Sequence, residues 1–231
     1  MINNLSNFRT LAASTALLAA LSLAGCSSDS DSDNILDPIA PDPDVAMTFF
    51  LTSEGPGDGG NLGGLAGADV HCTNLAEAAG STGEEWRAYL STTGADGINA
   101  IERIGTGPWV NAFGVTVATD TENLLSDDNN IALETALTES GAQVNGIGDV
   151  PLRHDILTGT ELNGLASTAA TDTTCSNWTS NSAGSALVGH HDRVGGGPNP
   201  MSWSTAHDTP GCSQANLQST GGDGLFYCFA M

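Results

Sequence analysis

Four cysteines, Cys72, Cys175, Cys212 and Cys228, constrain this chain more than any other feature. None stands at the Cys-x-x-Cys spacing of zinc ribbons and redox motifs. An even number of cysteines in a chain bound for an oxidising compartment points to two structural disulfides. Spacing alone leaves all three connectivities open. Where the bridges close long loops, the chain-entropy relation assigns each roughly 4–5 kcal/mol. A fifth cysteine, Cys26, lies far upstream of this set.

The first 26 residues supply the reason to expect export. A short polar start, residues 1–10, carries one basic side chain, Arg9, and is followed by an apolar and small-residue run from Leu11 to Ala24. That run is shorter than the about 20 residues of a membrane-spanning helix and suits the apolar stretch of a signal peptide. It ends in Leu23-Ala24-Gly25-Cys26, which resembles the lipobox of bacterial lipoproteins. The resemblance implies a signal peptide over 1–25, cleavage before Cys26 and lipidation of its thiol. Two or more acyl chains make such an anchor stable where one does not. Ser27, where an aspartate would imply inner-membrane retention, implies the outer membrane, with display at the cell surface as one orientation. Residues 26–45, rich in Ser, Asp and Pro, hold too little apolar surface to offset the entropy of folding. They are expected to be an extended tether, at about 3 Å per residue where the prolines favour polyproline II.

The remaining 46–231 make one domain's length. The whole chain has 5 basic residues, all arginine, against 27 acidic ones, for a net charge of −22. Nucleic acid, heparin-like polyanions and anionic lipid heads demand cationic surface and are excluded as partners. The acidity serves solubility, and acidic loops also suit calcium.

Patterning predicts a mixed α+β domain. Residues 46–52 read as a strand. Leu65, Ala68, Cys72, Leu75, Ala76 and Ala79 recur at helical spacing, with Gly80 as a stop, so 65–79 reads as a helix. Residues 85–91 alternate as a strand, 99–104 form a short helix, and 109–118 read as a strand or hairpin arm. Residues 120–185 are mostly Thr, Asn, Asp, Gly and Ser and are expected to be long and irregular. Short strands at 185–188 and 225–230 close the chain.

Several of these stretches carry a resemblance to the endostatin-like branch of the C-type lectin-like fold, a group that includes bacterial lipoproteins. They are Phe49-Phe50-Leu51-Thr52-Ser53; the glycine-rich run from Gly60 into Gly67-Ala68-Asp69-Val70-His71-Cys72; Trp86-Arg87-Ala88-Tyr89-Leu90-Ser91; Cys175-Ser176-Asn177-Trp178-Thr179; and Cys212 through Phe226-Tyr227-Cys228. The resemblance implies a lectin-like domain over 46–231, with Cys72 paired to Cys228 and Cys175 to Cys212. It does not bring the family's other properties along. The chain lacks the arginine surface and N-terminal histidines with which vertebrate endostatin binds heparin and zinc. It has only Gly197-Pro198-Asn199-Pro200, and no Trp-Asn-Asp, where sugar-binding lectins hold calcium.

Three sets of side chains are candidates for chemistry. His190, His191 and Asp192, with His207 and Asp208 downstream, form the densest ligand set and suit zinc or another transition metal. Adjacent histidines on a strand face opposite ways, so His190 and His191 serve one ion only from a loop. Trp203 and Trp178, in polar surroundings, and Asn199 suit a ligand such as a glycan, whose C–H faces pack on indole; the structural alternative is that the tryptophans belong to the core. Arg153-His154-Asp155 hints at acid–base work, but no Gly-x-Ser-x-Gly elbow accompanies it, so no enzyme is expected. The expected function is a surface-displayed binding or adhesion module for a glycan or an extracellular protein. The alternatives are a structural envelope lipoprotein facing the periplasm and, behind it, a metal-dependent enzyme.

Overall fold

The computed structural model describes residues 46–231, so the expected signal peptide, Cys26 and the tether lie outside the described residues. In chain order the elements are β1 (Phe49–Leu51), α1 (Gly64–Ala78), β2 (Trp86–Ala88), a 3-10 turn (Ala100–Arg103), β3 (Trp109–Val110), β4 (Thr116–Ala118), α2 (Thr121–Leu125) and β5 (Asp155–Leu157). A left-handed turn (Cys175–Trp178), β6 (Leu187–His190), β7 (His207–Asp208), α3 (Gln214–Thr220) and β8 (Gly222–Ala230) complete it. No helix among the described residues is long and apolar enough to cross a membrane.

β8 is the spine, and its sequence explains why. Leu225, Tyr227 and Phe229 alternate with Phe226, Cys228 and Ala230, and both sets are buried. Successive strand side chains face opposite ways, so the two sets enter two different cores. Phe226, Cys228 and Ala230 join Phe50, Cys72, Trp86 and Trp178 in one. Leu225, Tyr227 and Phe229 join Phe49, Leu51, Tyr89, Trp109 and Trp203 in the other. β1 runs antiparallel along one edge of β8, with Phe49 opposite Phe229 and Leu51 opposite Tyr227. β2, antiparallel, and β5, parallel, follow one another along the other edge. β6 and β7 extend the sheet beyond β5, giving the order β1-β8-β5-β6-β7.

Two disulfides fix this arrangement. Cys72–Cys228 joins α1 to β8 across 156 residues, and Cys175–Cys212 spans 37. Cys72 sits on the buried stripe of α1 with Ala68 and Ala76, so the bridge welds the helix to the core it already packs on. Asp69, one residue along from Ala68, accepts hydrogen bonds from Arg87 Nη1 (2.8 Å), Arg103 Nη2 (2.6 Å) and the Ala88 amide (2.9 Å). One carboxylate thereby pins α1 to β2 and to the 3-10 turn.

Several local expectations change. Residues 85–91 form strand only over Trp86–Ala88, and 109–118 make a two-stranded hairpin, β3–β4. The 99–104 helix is a single 3-10 turn. The strand expected at 185–188 lies at Leu187–His190, and the last strand begins at Gly222. Residues 120–185 are largely irregular but carry α2 and the buried strand β5.

Candidate functional site

Trp178 lies fully buried in the core. It ends a turn in which Cys175, Ser176, Asn177 and Trp178 all have left-handed backbone, at φ 49°, 55°, 56° and 66°. Such geometry costs L-residues roughly 1–2 kcal/mol each, and the surroundings must hold it. The Cys175–Cys212 bridge anchors one end. The Trp178 indole donates to the Ser91 carbonyl at 2.8 Å, and the Asn177 amide bonds both backbone groups of Thr93, at 2.8 and 3.2 Å.

Trp203 is buried too, only 4% exposed. Its indole donates to the Leu124 carbonyl at 3.2 Å, and its ring packs against Tyr89 and Tyr227. The open indole face expected for a sugar is therefore taken by core aromatics. The fold nevertheless brings Trp203 beside half-buried Asn199 in a cleft of about 310 Å³. Leu125, Leu162, Met201 and Arg193 complete the wall from three separate stretches of chain. Leu162 and Met201 stand 52% and 68% exposed on it. Arg193, another left-handed residue at φ 53°, donates through Nε to the Ile131 carbonyl and through Nη2 to Asn129.

The histidines gather around Asp155, which the sequence sets beside Arg153 and His154 rather than with His190 and His207. Asp155 opens β5 and pairs directly across from His190 on β6, while His207 on β7 pairs with Val188. Residues paired across strands share a face, as do residues two apart on one strand. Asp155, His190 and His207 therefore project from one face of three neighbouring strands, beside the core residues Leu157 and Val188. His154, just before β5, stacks on His190 with ring centroids 4.3 Å apart. The Nε2 atoms of His154, His190 and His207 lie 3.2, 3.3 and 3.4 Å from Asp155 Oδ1.

Asp192 stands one step outside this group. Its Oδ1 accepts from His154 Nδ1 at 3.2 Å and its Oδ2 from the Ile147 amide at 2.8 Å. Burial works to raise the Asp192 carboxyl, but these bonds and one from the Val194 amide outweigh it and hold it below its ordinary value. Burial likewise opposes ionising Asp155; contact with His190, His207 and Thr220 prevails and keeps the carboxyl below the carboxylate range. His207, in turn, is raised above the ordinary imidazole value by Asp155.

Two expected ligands do not join. His191 turns its ring to the Asn145 carbonyl at 3.4 Å, and burial lowers its pKa to about 4. The exposed Asp208 contributes its backbone carbonyl, which accepts from His207 Nδ1 at 3.1 Å. No family model matches the chain, and no curated protein matches it either.

Proposed function

We propose that this chain is an exported, lipid-tethered binding module, whose C-type lectin-like domain takes a glycan ligand in the cleft beside Asn199 and Trp203. The exposed Leu162 and Met201 carry the reading. Large apolar side chains left open around a concave surface with polar groups are what a ligand covers. Asn199, Ser202 and Ser204 in the same wall supply hydrogen-bonding groups for hydroxyls. The cleft is walled by loops carried on a bridged scaffold, where binding residues concentrate. The absence of lysine and the net charge of −22 turn the choice away from polyanionic ligands. Cys26, the tether and outer-membrane placement complete the reading.

A glycan array probed with the purified chain, with and without calcium, tests the ligand class. Binding to a defined set of glycans that Met201→Asp abolishes supports the proposal. A blank array, or binding that Met201→Asp leaves intact, contradicts it. Protease treatment of intact cells tests orientation. A domain cut only after the outer membrane is opened favours the structural, periplasm-facing alternative.

A further inference from the structure

We infer that His154, Asp155, His190 and His207 form a buried binding site for a divalent transition metal of the zinc class, independent of the glycan cleft. Four observations converge on it.

The first is spacing. Zinc bonds to imidazole nitrogen and carboxylate oxygen run about 2.0–2.1 Å, so neighbouring ligand atoms around a tetrahedral ion sit about 3.3 Å apart. The three Nε2-to-Oδ1 separations are 3.2, 3.3 and 3.4 Å. Ligand atoms of His154, Asp155 and His190 all lie within 4.8 Å of one another; His207 stands outside that group and approaches it through Asp155 Oδ1 at 3.4 Å.

The second is which nitrogen carries the proton. His154 Nδ1 faces the Asp192 carboxylate at 3.2 Å, His190 Nδ1 the Pro200 carbonyl at 2.8 Å and His207 Nδ1 the Asp208 carbonyl at 3.1 Å. These partners only accept, so each Nδ1 is the N–H. A neutral imidazole then presents a lone pair at Nε2. Three lone pairs and a carboxylate oxygen therefore crowd one region. A carboxylate or carbonyl behind each ligating imidazole is also the usual support of a metal site.

The third is polar accounting. Both carboxylate oxygens of Asp155 and Nε2 of His190 are buried and make no hydrogen bond within the domain. Buried groups without partners are rare and costly, and a cation beside Asp155 Oδ1 satisfies that oxygen and His190 Nε2 together. Hard oxygen-seeking ions such as calcium and magnesium do not suit a nitrogen-rich set; zinc and its neighbours do.

The fourth is room and closure. A side chain at Gly222, opposite Asp155 in β8, would lie 3.3 Å from Asp155 Cβ. A Cβ on Gly195 would sit 2.5 Å from His190 Cε1 and 3.1 Å from His154 Cε1, so bare backbone covers the two rings. Four protein ligands under such a cover describe a closed, structural site that binds β5, β6 and β7 to the 194–200 loop.

The test uses the whole chain, purified in detergent, stripped with a chelator and dialysed against zinc chloride. Mass spectrometry of the metal content is expected to give one zinc per chain. Cobalt(II) in its place is expected to give the intense visible bands of four-coordinate nitrogen–oxygen ligation. His190→Ala and His207→Ala are each expected to lose the stoichiometric metal, while His71→Ala on α1 retains it. His207 is 20% exposed, so its truncation leaves no sealed hole, and that variant decides the matter if His190→Ala does not fold. Wild-type protein that takes up no zinc, a six-coordinate cobalt spectrum, or equal uptake by His207→Ala each overturns the inference.

Discussion

At the scale of single residues, the His–Asp centre depends on groups that do not themselves ligate. Asp192 fixes the tautomer and angle of the His154 ring, and losing such a partner typically weakens metal binding about 10- to 100-fold. Asp192→Asn is expected to lower zinc affinity by that amount, measured by competition with a chelating dye, without abolishing stoichiometric binding. His191 offers a contrast. Its pKa falls from 6.5 to about 4 because burial penalises the charged ring. A lowered folded-state value means the unfolded chain takes up the proton first. The contribution is therefore complete above pH 6.5 and is lost as pH falls towards 4. Over that interval the loss amounts to about 3 kcal/mol. Metal-free protein melted across this range is expected to lose stability more steeply than metal-free His191→Gln, whose curve lacks this component.

At the scale of elements, legibility in the sequence follows the strength of local patterning. α1 is readable because Ala68, Cys72 and Ala76 recur on one face, and the end of β8 because its apolar run is unbroken. β5 and β7 are not. They read Asp-Ile-Leu and His-Asp, and their strand character comes from pairing with distant partners rather than from propensity. The metal centre was half-visible for that reason. His190 and His207 stood out as a dense polar set, whereas His154 and Asp155 looked like an isolated acid–base pair. Only the register of β5 against β6 places Asp155 opposite His190. The one signal in the composition is that three of the chain's five histidines gather at this centre. The left-handed turn was equally hidden, since nothing in Cys-Ser-Asn-Trp announces φ above zero without the bridge and Trp178 to enforce it. Trp178→Ala is expected to cost about 3–5 kcal/mol by chemical denaturation, the range for deleting a large buried aromatic.

At the scale of the whole molecule, two cross-links of different reach hold a sheet whose loops carry the polar sites. The chain-entropy relation gives about 5 kcal/mol for the 156-residue separation of Cys72–Cys228 and about 4 kcal/mol for the 37-residue separation of Cys175–Cys212. Replacing either pair by alanine is expected to lower unfolding free energy by amounts of that order, with the longer loop costing more. The metal centre ties β5, β6 and β7 together through side chains, beside the core that the Cys175–Cys212 bridge shares with Leu157 and Val188. Its loop, through the Pro200 carbonyl, also borders the proposed ligand cleft. Anomalous X-ray diffraction from crystals grown with zinc examines that arrangement most directly. The account predicts one strong anomalous peak within bonding distance of His154, His190 and His207 Nε2 and of an Asp155 oxygen. Zinc-grown crystals with no peak among these four side chains would contradict it.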